Sequence, residues 1–137
     1  MKYLTDASVL SEPTKPRPVP NVVEWLRIHE REIVIDPIIL GEIRFGIYLI
    51  PAGSRRRQLE NWFTEGVARI HCLPWQSETG LRWAKLVANL RAAGQAMPIK
   101  DSMIAATALV HGLTVVTRNQ RDFLKAGVKI LDPFAEN

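Results

Sequence analysis

Cysteine is nearly absent from this sequence of 137 residues, in which Cys72 is the single example. An intrachain disulfide is therefore impossible, and a zinc site made of several cysteines is excluded. The apolar neighbours of Cys72 predict a small buried side chain in a strand. The three histidines, His29, His71 and His111, lack the spacing of metal ligands.

Motifs that bind phosphates or activate a serine are also absent. The sequence has no Gly-x-x-x-x-Gly-Lys-Ser/Thr loop, no Gly-x-Gly-x-x-Gly run and no Gly-x-Ser-x-Gly elbow. Nothing in it supports a serine or cysteine nucleophile. Nucleotide-binding loops and covalent hydrolase chemistry are therefore poor explanations of this chain.

Long apolar runs are missing as well. The two most apolar segments, 33–50 and 102–116, are broken by charges and turn formers, so neither is predicted to be a membrane span of ~20 residues. The first residues do not form the continuous apolar stretch of a signal peptide, because Asp6 and Glu12 interrupt it. With 47% hydrophobic and 23% charged residues, we expect one cytoplasmic globular domain over 1–137.

Short apolar runs alternate with helical patterns along the chain. A loop with four prolines is expected over 11–20, and Asn21 and Asp36 are predicted helix N-caps. The predicted strands are 2–6, 32–35, 69–73, 113–117 and 128–131. The first predicted helix begins at Asn21. The other predicted helices cover about 37–50, 54–67, 77–94, 99–111 and 119–126. This alternation predicts an α/β fold, a three-layer α/β/α sandwich around a mostly parallel sheet.

Four acidic residues lie where apolar runs meet polar breaks: Asp6, Glu42, Asp101 and Asp122. Buried carboxylates are costly unless a positive charge compensates them, and a hard divalent cation such as Mg²⁺ is a suitable compensator. Ligands of parallel sheets bind beyond the carboxyl ends of the strands. Asp6 follows the first predicted strand, and Asn119 and Asp122 follow the fourth. The sequence therefore predicts a metal-dependent site at this edge.

Each acidic residue also has a structural explanation when it is considered alone. Asp101 falls in the first turn of a predicted helix, where a carboxylate satisfies free N–H groups. Asp6 and Asp122 could be exposed turn residues. The convergence of all four, rather than any single one, carries the prediction.

Glu42 is expected to point inward from its helix. Helical spacing places it on one face with Ile38, Phe45 and Leu49, and an acid in an apolar stripe requires a partner. Arg82 and Arg91 are possible distant partners.

The formal net charge of +4 and the pI of about 9.6 suit a polyanionic partner such as nucleic acid. The densest cationic cluster is Arg55, Arg56 and Arg57. It is either a contact surface for such a partner or the solvated start of a helix.

Four segments carry a resemblance to a known family: 3–12 (Tyr-Leu-Thr-Asp-Ala-Ser-Val-Leu-Ser-Glu), 40–43 (Leu-Gly-Glu-Ile), 98–106 (Pro-Ile-Lys-Asp-Ser-Met-Ile-Ala-Ala) and 116–123 (Val-Thr-Arg-Asn-Gln-Arg-Asp-Phe). In this order and spacing, they closely resemble PIN-domain ribonucleases, in particular the VapC-type toxins of bacterial toxin–antitoxin pairs. The resemblance extends over nearly the whole chain.

The resemblance implies which residues form the site. Asp6, Glu42 and Asp101 fall on the family's metal-binding acidic positions. The fourth position falls on Asn119, two residues after the strand-ending Thr117, or on Asp122, where a similar subgroup carries its acid. Ser8 matches a polar position near the metal, where the more familiar Asp-Thr-Asn opening reads Asp-Ala-Ser.

The resemblance also implies a function. It is Mg²⁺-dependent hydrolysis of RNA phosphodiesters, with Mn²⁺ as a possible substitute, in which Asp6 and Asp101 are the main ligands and Glu42 and Asp122 complete the site. Candidate phosphate contacts are Arg55, Arg56, Arg57, Arg118 and Arg121. The implied partners are a second copy of the chain and a small antitoxin with a DNA-binding domain.

Two alternatives from other classes stay open at this point. A PIN-like module could bind RNA or protein without cleaving it, which the departures at Ala7, Ser8 and Asn119 would favour and the four acids argue against. Another Mg²⁺-dependent phosphohydrolase, such as a phosphatase, would need a second aspartate close after Asp6.

Overall fold

The computed structural model describes residues 1–135, and its centre is a five-stranded parallel sheet in the order β3-β2-β1-β4-β5. The strands are β1 Tyr3–Thr5, β2 Ile33–Ile35, β3 His71–Cys72, β4 Thr114–Val116 and β5 Lys129–Leu131. The seven α-helices within 1–135 are α1 Ala7–Leu10, α2 Pro20–Ile28, α3 Pro37–Tyr48, α4 Ser54–Glu65, α5 Ser77–Ala92, α6 Ile99–His111 and α7 Gln120–Lys125. The three-layer α/β/α prediction is confirmed.

The centre of the sheet is where the order of the strands reverses. The chain passes from β1 to β2 on one side, and later returns to place β4 on the other side of β1. Such a reversal opens a crevice beyond the carboxyl ends of the two central strands. Asp6 follows β1 and Thr117 follows β4, so both lie at this crevice.

The core forms between the sheet and its helices. Leu4 and Val115 from the central strands are fully buried, as are Ile39 of α3 and Ile104 of α6. All three residues of β1 and of β2 are buried. Strands buried on both faces have continuous apolar sequences, which is why the sequence predicted them.

Asp36 links two of these helices inside the protein. Its Oδ1 accepts the Ile39 N–H at 2.9 Å, as the N-cap prediction required, and its Oδ2 accepts the Thr107 hydroxyl of α6 at 2.7 Å. Thr107 in turn accepts the Trp75 Nε1–H at 3.1 Å. This fully buried carboxylate therefore fixes the start of α3 against the middle of α6.

Several predicted boundaries differ from the structure. Asn21 is not the cap of α2, because Val19 takes that position and Pro20, whose φ is already helical, opens the helix. The strand predicted over 69–73 is reduced to β3, since Val67–Arg69 forms a 3₁₀ turn. A second 3₁₀ turn, Glu12–Thr14, interrupts the predicted proline-rich loop. No helix in residues 1–135 is both long and apolar enough to cross a membrane.

Candidate active site

Asp6 is held in place by three hydrogen bonds. It caps α1, and its Oδ1 accepts the Val9 N–H at 3.1 Å and the Ser8 hydroxyl at 2.8 Å. Its Oδ2 accepts the hydroxyl of Thr117. The carboxylate is thus oriented by α1 on one side and by the end of β4 on the other.

Thr117 connects the two sides of the crevice. Its buried hydroxyl donates to Asp6 and accepts the backbone N–H of Asn119 at 3.0 Å. The hydroxyl therefore acts as donor and acceptor at once, and the side chain fixes Asp6 relative to the start of α7.

Asn119 bridges the other two aspartates. Its Nδ2 donates to Asp101 Oδ2 at 3.0 Å and to Asp122 Oδ2 at 2.9 Å, which uses both hydrogens of the amide. Asp122 also lies 3.4 Å from the Nζ of Lys125. Asn119 and Asp122 are therefore both at the site, and the amide holds Asp122 beside Asp101.

Glu42 lies at the edge of the buried face of α3, not on it. The inward stripe consists of Ile39, Ile43 and Ile47, whereas Phe45 and Leu49 are 62% and 68% exposed. The predicted inward orientation with Phe45 and Leu49 is thus wrong, because the helix is rotated relative to the assumed stripe.

The partner of Glu42 is Lys100, whose Nζ lies 2.6 Å from Oε2. The predicted partners Arg82 and Arg91 are not used for this contact. Lys100 lies in the first turn of α6, directly before Asp101, and contacts Glu42 from there. Because 58 positions separate the two residues in the chain, sequence spacing gave no signal of the pair.

The four acids influence each other electrostatically. Burial raises the pKa of Asp6, hydrogen bonds from Thr117, Ser8 and the Val9 N–H oppose this, and the charge of Glu42 raises it further. Burial also raises the pKa of Asp101, the Lys100 charge lowers it, and the charges of Asp122, Glu42 and Asp6 raise it again.

Asp122 behaves differently from the other aspartates at the site. The hydrogen bond from Asn119 lowers its pKa, and Lys125 and Arg121 add to this effect. Its negative charge is therefore already compensated by groups of the chain. Asp6 and Asp101, in contrast, carry charge that the surrounding protein disfavours.

The donor chemistry fits a hard divalent cation, since such ions prefer carboxylate oxygens. Within residues 1–135, however, no three His, Cys, Asp or Glu side chains are grouped so that they could already hold a metal ion. Glu42 faces Lys100, and Asp122 faces Lys125 and Asn119. Side-chain rotation away from these partners is therefore needed to bring three or more acids to one ion.

The five arginines predicted to contact phosphates are found in different surroundings. Arg55 donates to the Thr14 carbonyl oxygen at 2.6 Å, and Arg57 is exposed on the same helix. Arg56 lies 3.9 Å from Glu60 and stacks over Tyr48.

The other two arginines flank Asn119. Arg118 stacks on Phe134, with its guanidinium carbon 3.9 Å from the ring centroid. Arg121 is exposed on α7, close enough for its charge to act on Asp122. Both are therefore on the β4 side of the crevice.

A groove of about 420 Å³ lies between α1, α3 and α4, and Glu42 is the one of the four acids that lines it. Ser8 and Glu42 lie in its wall together with Lys15 and Arg55, and Ile47 and Trp62 contribute apolar surface. Arg55 is thus the predicted phosphate contact that shares a groove with two predicted site residues. The groove offers positive charge and an apolar surface next to the Glu42 carboxylate.

Comparisons with known proteins show similarities that extend over most of the chain. The family model described as PIN domain matches residues 3–129. The chain is 34% identical over 140 residues to the plasmid stability protein StbB of Pseudomonas syringae pv. tomato, covering 96% of this chain and 97% of that protein. It is 32% identical over 133 residues to the VapC ribonuclease Y4jK of Sinorhizobium fredii, covering 94% and 95%.

A third curated relative is the toxin FitB of Neisseria gonorrhoeae, at 29% identity over 135 residues, with 96% of this chain and 97% of FitB covered. Among solved structures, the structure of FitAB bound to an IR36 DNA fragment superposes with a TM-score of 0.92 at 27% identity, covering 98% of this chain and 97% of that one. The similarity therefore extends over essentially the full length of both chains.

Proposed function

Because the chain belongs to the PIN domain family, we propose that it is a metal-dependent endoribonuclease that hydrolyses RNA phosphodiester bonds as the toxin of a toxin–antitoxin pair. The observation that carries this proposal is the convergence of Asp6, Glu42, Asp101 and Asp122 on one crevice, where the charges of the other three acids act on Asp101. Relatives named as a VapC ribonuclease and as a toxin support the activity and its biological role.

Asp6 and Asp101 are the residues that would hold the metal, and Glu42 and Asp122 would complete the site through direct or water-mediated contacts. PIN-domain ribonucleases are generally dependent on a divalent metal, and we propose Mg²⁺, with Mn²⁺ as a substitute, because all four donors are carboxylates. When bound, the ion supplies a water of lowered pKa and compensation for charge on the phosphate.

The chain's own contribution is to fix these carboxylates before the substrate arrives. Ser8 and Thr117 hold Asp6 from two sides, so its lone pairs point in a defined direction. Asn119 does the same for Asp101 and Asp122. Preorganised carboxylates lose little conformational freedom on binding, which favours both affinity and a defined geometry.

The RNA would follow the basic groove next to the acids. Phosphate contacts from Arg55 in the groove, and from Arg118 and Arg121 on the opposite side, would position the strand without reading its sequence. Arg56 and Arg57 lie farther along α4 and would extend the positive surface. An RNA substrate also favours a cytoplasmic location.

We further expect a small antitoxin with a DNA-binding domain and a homodimer of this chain as partners. The solved FitAB assembly, which is bound to DNA, supports a partner that brings a DNA-binding function. The groove beside Ser8 and Glu42 is the surface that an inhibitory antitoxin tail would cover.

Cleavage of a structured RNA panel by the purified protein, with Mg²⁺ or with EDTA, tests the proposal. Asp6→Asn and Asp101→Asn keep the side-chain shape but remove a charge. Each should lower the cleavage rate by more than about 100-fold, because loss of a metal ligand costs more than loss of a residue that only orients a ligand. Glu65→Gln, which removes a charge at the exposed end of α4, is the matched control and should cleave normally.

Cleavage that persists in EDTA, or in both aspartate variants, would overturn the metal mechanism. RNA that binds in Mg²⁺ but stays intact would instead support the non-cleaving binding module.

A further inference from the structure

The first turn of α6 places a cation directly against the acidic site. The Nζ of Lys100 is 2.6 Å from Glu42 Oε2, and Lys100 precedes Asp101 in the chain. The Lys100 side chain is 51% exposed and that of Glu42 is 30% exposed. The pair is therefore open enough to separate without disturbing the core.

More than one carboxylate acts on this ammonium. The hydrogen bond with Glu42 raises the pKa of Lys100 most strongly, desolvation opposes it, and the charges of Glu42, Asp101 and Asp6 raise it further. Three of the four acids of the site thus attract the same side chain.

We propose that Lys100 is a built-in competitor for the divalent ion, which occupies Glu42 in the metal-free protein and must leave it when the ion binds. This inference rests on the metal site proposed above. Lys100 occupies Glu42 Oε2, and an ion that coordinates Glu42 directly would lie close to the lysine ammonium. Two cations at such a short distance repel each other, so direct coordination displaces Lys100.

The consequence is regulation of the site by metal concentration. In the metal-free protein, Lys100 relieves the repulsion between the acids and stabilises the fold. The same contact lowers the affinity for the ion, because binding must first break it. By thermodynamic reciprocity, the ion weakens the contact between Lys100 and Glu42 by the same factor by which Lys100 weakens metal binding.

Lys125 gives an instructive contrast. It lies 3.4 Å from Asp122 Oδ1 and also donates to the Ala96 carbonyl oxygen at 3.0 Å, so a backbone contact anchors it. Lys100 has its short contact with the carboxylate itself. Release of Lys100 therefore costs fewer interactions within the chain than release of Lys125.

Mn²⁺ binding in the absence of RNA tests the proposal, with the free aquo ion quantified by electron paramagnetic resonance. Lys100→Met should bind Mn²⁺ roughly three- to fivefold more tightly than the wild type, as expected for a partly exposed pair. Lys85→Met removes the same charge from an exposed position on α5 and should change the affinity less than about twofold, through long-range charge alone. Lys100→Arg, which keeps the charge, should remain close to the wild type.

Glu42→Gln provides the second arm. In that background, Lys100→Met should no longer tighten Mn²⁺ binding, because the competing contact is already gone. An equal effect of Lys100→Met with and without Glu42 would show that only bulk charge matters and would overturn the proposal. So would unchanged or weaker Mn²⁺ binding by Lys100→Met.

The wild-type protein supplies a third arm that needs no variant. Amine labelling of Lys100, measured by mass spectrometry, should become faster when Mg²⁺ is added, while labelling of Lys85 stays constant. Constant labelling of Lys100 at saturating Mg²⁺ would overturn the proposal. If the wild type binds no metal at all, the proposed site itself fails together with this inference, whereas metal binding without any role of Lys100 defeats this inference alone.

Discussion

The hydroxyl of Thr117 donates a hydrogen bond to the carboxylate of Asp6, although 111 positions separate the two residues in the chain. The contact exists because β1 and β4 are neighbours in the sheet and end at the same edge. It is the direct physical connection between the first acidic residue of the site and the segment that carries Asn119 and Asp122. The same hydroxyl accepts the Asn119 N–H, so one side chain sets both positions.

Replacement of Thr117 by valine should therefore damage the site more than the fold. Thr117→Val keeps the shape but leaves Asp6 Oδ2 and the Asn119 N–H without this partner, which should lower the free energy of unfolding by about 1–3 kcal/mol. Mn²⁺ affinity and RNA cleavage should each fall by about 10- to 100-fold, as for other residues that orient a metal ligand.

Thr117→Ser keeps the hydroxyl and is the matched control, with metal affinity near that of the wild type. Urea denaturation and isothermal titration with Mn²⁺ provide the two measurements. Equal metal affinities of the valine and serine variants would show that the hydroxyl does not orient Asp6.

The sequence predicted what depends on local pattern and on the topology of parallel sheets. Asp6 could be placed at the crevice because it ends a short apolar run. Asp36 could be predicted as a helix N-cap because an acid before a proline is a recognisable helix start. Glu42 was placed at the site by the family resemblance, but its orientation was wrong. Almost every residue of α3 around it is apolar, so periodicity alone did not distinguish the stripe with Ile43 from the one with Phe45.

Long-range polar contacts were not predictable in the same way. The pairing of Lys100 with Glu42 depends on how α6 lies against α3, which no local pattern encodes. The hydrogen bonds of Asn119 to both Asp101 and Asp122 also required the structure, because no local pattern indicated that the amide lies between two acids. Tertiary packing, rather than propensity, decides such contacts.

Asn119→Asp should add negative charge to the site and increase the stabilisation of the protein by bound metal. A third carboxylate would replace the amide that now separates Asp101 from Asp122, so the metal-free protein should lose about 1 kcal/mol or more of stability through like-charge repulsion. The added negative charge should tighten Mn²⁺ binding. Thermal unfolding with EDTA and with Mn²⁺ measures both effects, and the variant should show the larger metal-induced increase in Tm.

Asn119→Ala separates the effect of losing the amide hydrogen bonds from the effect of adding a negative charge. It removes both hydrogen bonds without adding charge, so it should lose stability but should not gain metal affinity. A similar gain in metal affinity for the alanine and aspartate variants would contradict the bridging role of the amide.

Arg55 should contribute to RNA binding more than Arg57, although the two are separated by one residue. Both side chains are exposed, but Arg55 lines the groove with Ser8 and Glu42 and Arg57 does not. In an Asp101→Asn background that cannot cleave, Arg55→Gln should weaken RNA binding and reduce the slope of log K against log salt by about 1. Arg57→Gln should change the slope by less than half as much. Equal slopes for the two variants would argue against the groove as the RNA path.

The buried carboxylate of Asp36 should make stability depend on pH in a direction opposite to that of most acids. Burial raises its pKa above the ordinary value of 3.8, although hydrogen bonds from the Ile39 N–H and Thr107 oppose the shift. Below pH 3.8 this carboxyl is protonated in both the folded and the unfolded chain, and its contribution to stability is complete. As the pH rises through the folded-state pKa, the unfolded chain releases the proton more readily, and that contribution is lost.

Asp36→Asn removes this titration, so the stability of the variant relative to the wild type should increase as the pH rises from the ordinary pKa of 3.8 through the raised folded-state pKa. Urea denaturation of both proteins across this range measures the difference at each pH. The amide can still accept the Ile39 N–H, and Thr107 can rotate to accept from its nitrogen, so we expect the variant to fold. Thr107→Val serves as the comparison, because it removes a hydrogen bond that favours the charged form and should steepen the loss of stability with pH. A difference between Asp36→Asn and the wild type that stays constant, or that falls with rising pH, would show that Asp36 ionises in the folded protein at its ordinary pKa or below it.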